Sequence, residues 1–154
     1  MLFMTMYKVD QWEVAIVWFR RDLRLSDHPA LTEAIAGARS VVPLFILDEQ
    51  LLSKVAPARA WFLQRTLVEL ERVLRERGSG LLVRGGDPAE TVPQLARELG
   101  ADVVLASSDV TSYARARDAR VAEALQSDGR RLELREGLML ADPERVRTGA
   151  GRPY

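Results

Sequence analysis

The chain contains no cysteine and a single histidine, His28. The first absence excludes disulfides, thiolate metal sites and a cysteine nucleophile. The second excludes a metal centre built from several imidazoles. No apolar run is long enough to cross a bilayer. The leader Met1-Leu2-Phe3-Met4-Thr5-Met6-Tyr7-Lys8 lacks the charged start and long apolar middle of a signal peptide, so the chain reads as cytoplasmic. Net charge is missing too, because 22 Lys+Arg balance 22 Asp+Glu. A domain that holds DNA by itself usually carries a basic excess, since phosphate contacts dominate affinity. A nucleic-acid role here would need a local patch or a further domain. Neither a dinucleotide fingerprint nor a P-loop is present, and no serine sits in a G-x-S-x-G elbow. Gly85-Gly86 follows a strand but reads as a turn.

The residues present suit one domain: 154 of them, 47% hydrophobic, enough for a real core. Residues 1–13 read as an irregular extension, within which Met4 or Met6 is a candidate true start. Residues 14–24 organise the rest of the chain. Val14-Ala15-Ile16-Val17-Trp18-Phe19 is an unbroken apolar run of the kind that forms a strand buried on both faces. Charge then crowds its carboxyl end, as Arg20, Arg21, Asp22 and Arg24.

A helix is expected over residues 30–36, capped by Ser26 or Asp27, with Pro29 in its first turn and Leu31, Ala34 and Ile35 on one face. Gly37 ends it. A strand over 40–47 comes next, although Pro43 removes one ladder donor. Asp48-Glu49-Gln50 puts polar groups at its carboxyl end. The longest helix is expected over 57–77, with Phe62, Leu63, Thr66, Leu67, Leu70, Val73 and Leu74 as its apolar stripe. Trp61 lies off that stripe and hints at a docking face. A short strand over 81–83 leads to a helix started by Asp87-Pro88-Ala89-Glu90. Residues 101–106 form a fourth strand, ending in Ser107-Ser108-Asp109. A helix over about 114–126 turns Ala119, Ala122 and Leu125 inward, and residues 131–135 suit an edge strand. Residues 142–154 begin with another cap-plus-proline pattern and show no closing element.

This β-α alternation predicts a Rossmann-like α/β domain over residues 14–141. Its parallel sheet has five strands in the order 3-2-1-4-5, with helices on both faces. The switch point falls between the first and fourth strands, and ligands bind outside the carboxyl ends of such strands. The site expected from topology is therefore the rim of Arg20-Arg21, Asp48 to Gln50 and Ser107-Ser108-Asp109. Two readings of its arginines stand side by side. They form a structural ion network, or a guanidinium engages an anionic or carbonyl-rich ligand. His28 reads as a helix-start residue rather than a general base. Cations such as Arg115 and Arg117 early in a helix oppose its dipole, and pairing with Asp109, Asp118 or a ligand would account for them.

Val17-Trp18-Phe19-Arg20-Arg21-Asp22-Leu23-Arg24-Leu25-Ser26-Asp27 resembles the start of the DNA photolyase/cryptochrome family. Pro43-Leu44-Phe45-Ile46-Leu47-Asp48 resembles its second strand, and Pro57-Ala58-Arg59 the start of its long helix. Arg115-Ala116-Arg117-Asp118 resembles its arginine-aspartate helix start. Gly149-Ala150-Gly151-Arg152-Pro153-Tyr154 resembles the entry to its interdomain linker, which would begin near residue 142. The resemblance implies an N-terminal Rossmann-like domain that holds a light-harvesting antenna. A helical domain beyond Tyr154 would hold FAD, contact DNA and repair pyrimidine dimers by light-driven electron transfer. FAD would belong to that domain and not to this chain, which alone would be inactive. By resemblance to deazaflavin-type members, the antenna-pocket positions are Arg21, Phe45, Asp48, Gln50, Arg59, Asp109, Thr111 and Arg117. Phe45 and Leu52 would give an apolar slot, and arginine the donors at a ring edge. Thr111 stands where many relatives carry a glutamate. That departure favours 8-hydroxy-5-deazaflavin over methenyltetrahydrofolate. The other readings are a free-standing α/β interaction module and a cryptochrome-like photosensor. An exposed docking face would also allow self-association.

Overall fold

A computed structural model describes residues 11–137. Its elements run β1 (Trp12–Phe19), α1 (Pro29–Gly37), β2 (Ala38–Leu47), α2 (Glu49–Leu52), α3 (Pro57–Glu76), β3 (Leu82–Gly85), α4 (Pro88–Glu98), β4 (Val103–Ser107), α5 (Ser112–Ser127) and β5 (Arg131–Arg135). The five strands form one sheet in the order β3-β2-β1-β4-β5, and every pairing is parallel. This is the predicted doubly wound sheet, with its order reversing between β1 and β4. Residues 142–154, expected to enter a linker, lie outside the described residues.

Strand β1 is central because it is apolar on both sides. Its odd positions Ala15, Val17 and Phe19 join one core with Ala30, Leu31 and Ala34 of α1 and Leu70 and Leu74 of α3. Its even positions Ile16 and Trp18 join a second core with Val92 and Leu95 of α4 and Val121 and Leu125 of α5. Successive side chains of a strand point to opposite faces, so one continuous apolar run serves both layers. Pro43 is tolerated because β2 pairs with β3 only from Leu44 onward.

The strand begins two residues earlier than the sequence suggests. Trp12, expected in an irregular extension, pairs with Ala38 and is buried. Asp102 explains the early start: its Oδ2 accepts the amides of Glu13 at 2.8 Å and Val14 at 3.2 Å. The Trp12 ring in turn sits against Gly37, where an added Cβ would come within 2.8 Å of it.

Three helical expectations are corrected. The cap of α1 is His28, not Ser26 or Asp27: its Nδ1 accepts the Leu31 amide at 3.2 Å. Asp27 instead takes a left-handed turn at φ 50°. Ile35 and Phe62, expected on buried faces, are exposed. On α5 the buried set is Ala114, Arg117, Asp118, Val121 and Leu125, while Ala119 is exposed. Leu125 turns inward as expected, whereas Arg117 and Asp118, which read as solvated, take buried positions in place of Ala119. The short helix α2, capped by Asp48, replaces what reads as a plain polar edge.

Candidate functional site

Two arrangements occupy the carboxyl ends of β1, β2 and β4: a buried charge cluster and, beside it, a more open rim. The cluster begins at Arg20, which continues the even face of β1 toward α5. Its guanidinium meets Asp118 Oδ1 at 2.5 Å and also donates to the Ser107 carbonyl. Asp118 Oδ1 receives Arg117 Nε at 2.9 Å as well. One carboxylate thus holds two buried guanidinium groups. Both lie against the Trp18 ring, at 4.8 Å for Arg20 and 4.9 Å for Arg117, where the ring's negative face adds attraction. Burial pushes the Arg20 pKa down, more than its pairing with Asp118 restores it.

Asp22 and His28 form the second part of the cluster. His28 Nδ1 accepts the Leu31 amide, so the ring proton sits on Nε2, which lies 2.8 Å from Asp22 Oδ2. Asp22 Oδ1 accepts the Arg20 amide at 3.2 Å. Burial alone would raise the Asp22 pKa. Hydrogen bonds from His28 and Ser107 outweigh it and hold the carboxyl well below the ordinary range. The structural reading of Arg20 and Asp22 is therefore the one the geometry supports. Arg24 is structural too, tying the carbonyls of Ser26, Asp27 and Gly137.

The rim is more open. Arg21, its side chain 66% exposed, reaches Asp109 Oδ2 at 3.4 Å, a loose tether. Asp109 Oδ1 accepts the Thr111 amide at 3.1 Å. Burial of Asp109 is outweighed by these bonds, and its pKa is lowered. Across the switch point, buried Asp48 caps α2 through the Gln50 amide at 3.0 Å and accepts the Tyr113 hydroxyl on its other oxygen. Burial, then the bond to Asp48, pushes the Tyr113 phenol up to about 12. The Arg117 guanidinium lies 5.7 Å from the Tyr113 ring, so it borders both Tyr113 and Trp18.

The eight expected pocket positions thus separate by environment. Arg21, Gln50 and Arg59 are exposed, and Asp109 is partly covered. Asp48 is buried behind Tyr113. Thr111 caps α5, its hydroxyl accepting the Ala114 amide at 3.2 Å. Arg117 is committed to Asp118, and Phe45 lies in the core. Tyr113 escapes sequence reasoning: with the helix start placed at residue 114, an aromatic in its first turn has no assigned role. Away from the rim, a groove of about 570 Å³ opens between residues 23–26 and α3. Among the described residues no helix is long and apolar enough to cross a membrane.

Relatives share this architecture. The family profile for DNA photolyase matches residues 15–154. The deoxyribodipyrimidine photo-lyase of a Synechococcus strain is 41% identical over 141 residues, covering 90% of this chain and 29% of its own. Cryptochrome DASH of Natronomonas pharaonis is 38% identical over 143 residues, covering 88% of this chain and 30% of its own. The photolyase of Sulfolobus tokodaii superposes with a TM-score of 0.82 at 27% identity, over 88% of this chain and 32% of its own. That structure is described as holding two FAD molecules, with the implication of a novel light-harvesting cofactor. The chain spans about a third or less of the length of these relatives. Sequence match and sheet topology together establish that the chain belongs to the DNA photolyase family, corresponding to its N-terminal α/β domain.

Proposed function

We propose that this chain is the antenna-binding part of a DNA photolyase, serving a flavin-bearing helical domain that carries out light-driven repair of pyrimidine dimers. The observation that carries this reading is the rim itself. It lies at the switch point of a doubly wound sheet, where such folds bind ligands. It also offers one exposed arginine, Arg21, loosely tethered to a carboxylate. A planar, partly anionic ring fits that chemistry. Arg21 and Arg59 would meet its acidic edge, and Gln50 its polar groups. Asp109 and Asp48 would fix Arg21 and Tyr113, while Phe45, Thr111 and Arg117 would support the rim from behind. A bound antenna would supply light absorption and energy transfer to the flavin. The protein's own part is to hold and orient it.

The favoured antenna is 8-hydroxy-5-deazaflavin, with methenyltetrahydrofolate second. Mixing the folded chain with each and recording absorption and emission spectra tests the assignment. A shifted, saturable spectrum with deazaflavin is expected, and no change with either would overturn the antenna reading. A cryptochrome-like photosensor would use the same domain without repair, as the match to Cryptochrome DASH allows. Assaying dimer repair in the full-length protein separates the two. Exposed Trp61 and Phe62 on α3 favour a docking role as well, including self-association.

A further inference from the structure

The stretch that follows β2 has little hold on the core. Helix α2 contains no buried residue. Residues 49–60 are all exposed apart from Leu52 and Val55, which are partly covered. Among the described residues, the hydrogen bonds of residues 49–55 stay within this stretch or end on Asp48. Asp48 takes three of them. Its Oδ1 accepts the Gln50 amide at 3.0 Å, and its carbonyl accepts the Leu51 and Leu52 amides at 3.1 and 2.9 Å. Asp48 itself is buried, and its other carboxylate oxygen accepts the Tyr113 hydroxyl. Among the described residues no other side-chain hydrogen bond ties Asp48 or residues 49–55 to another element.

The two ends of this bond differ in firmness. Tyr113 stands in the first turn of α5, a helix that buries Arg117, Val121 and Leu125. Thr111 caps that helix. The Arg117 guanidinium, pinned by Asp118, lies 5.7 Å from the Tyr113 ring. Tyr113 is therefore the fixed end, and Asp48 the end that carries an unanchored helix. A buried carboxylate oxygen without a donor is costly. Deprived of the hydroxyl, Asp48 gains by turning toward water, and the cap of α2 turns with it.

We infer that Tyr113 is a positioning residue of the rim: acting through Asp48, its hydroxyl fixes α2 and so sets where Gln50 stands. What Gln50 meets there rests on the antenna reading; the tie itself does not. A rim wall held in place before binding spares the ligand the cost of ordering it. The hydroxyl alone carries the role, because Tyr113→Phe keeps the ring beside Arg117 and removes only the donor.

Amide hydrogen exchange, read residue by residue in Tyr113→Phe, tests the tie without any ligand. The Gln50, Leu51 and Leu52 amides are expected to exchange about tenfold faster than in the parent, the worth of one hydrogen bond to a charged group. Amides of β1 and β4 should keep their rates. Titration with deazaflavin is the second arm. Its dissociation constant should rise about tenfold in Tyr113→Phe, and the same substitution should add nothing in an Asp48→Ala background. Unchanged exchange at Gln50 overturns the inference even if affinity falls, because the hydroxyl would then be meeting the ligand directly. Acceleration of all amides together overturns it as well, since Tyr113 would then serve general stability. Additive losses in the double variant do the same. Failure of the parent chain to bind deazaflavin would sink the antenna reading instead, and the exchange rates would still decide the tie.

Discussion

His28 Nε2 stands 2.8 Å from Asp22 Oδ2 in the interior, while the other ring nitrogen caps α1. One side chain thereby starts a helix and stands against a buried carboxylate. Replacing it with alanine removes the cap and strips Asp22 of a partner. His28→Ala is expected to lose about 3 kcal/mol of stability, measured by urea unfolding at neutral pH.

The same pair sets the response to acid. The Asp22 pKa is depressed in the folded state from an ordinary value of 3.8. Its contribution is complete above that value and drains away as pH falls toward the folded pKa. Unfolding free energy should therefore drop on acidification below about pH 4. In Asp22→Asn that dependence should be flatter, from a lower starting stability. Urea titrations between pH 7 and pH 3 compare the two slopes.

Asp118 is the counter-ion of two buried arginines. Asp118→Ala leaves Arg20 and Arg117 repelling each other against Trp18, and should cost about 3–5 kcal/mol. Arg21→Ala contrasts with it. Its exposed, long tether to Asp109 is worth less than about 1 kcal/mol, so stability should hardly move while deazaflavin affinity falls. Thermal unfolding and spectral titration of both variants separate the structural arginines from the binding one.

Tyr113 offers a test at the opposite end of the pH scale. Its phenol is pushed up to about 12, from an ordinary 10.0. The raised value means that its stabilising contribution is intact below pH 10 and is lost as pH climbs toward 12. Following phenolate absorbance, Tyr113→Phe should remove a late-titrating step, and Asp48→Asn should move that step downward.

Strand order and switch point were legible because β1, β2 and β4 carry short, β-branched apolar runs bounded by polar and turn residues, the pattern of buried strands. The rim came from that topology. What resisted reading were polar groups whose partners lie far along the chain. Asp102 anchors the start of β1 from 88 residues away. Arg20 meets Asp118 across 98 residues, so the inward face of α5 resembles a solvated one. Asp48 and Tyr113 are separated by 65 residues, and neither neighbourhood announces the other. Local spacing carries helices and caps, whereas a charge that is buried because of a distant partner leaves no local trace.

The three tryptophans sit in three different surroundings, and this makes the chain its own optical instrument. Trp12 is enclosed in one core, Trp18 lies against two guanidinium groups in the other, and Trp61 stands in solvent. Iodide should quench Trp61 selectively, leaving an emission that reports on the two interior layers. With Trp61 replaced by phenylalanine, the layers can be watched separately during unfolding through Trp12 and Trp18. Loss of order in the layer under α1 and α3 would then register apart from loss in the layer under α4 and α5.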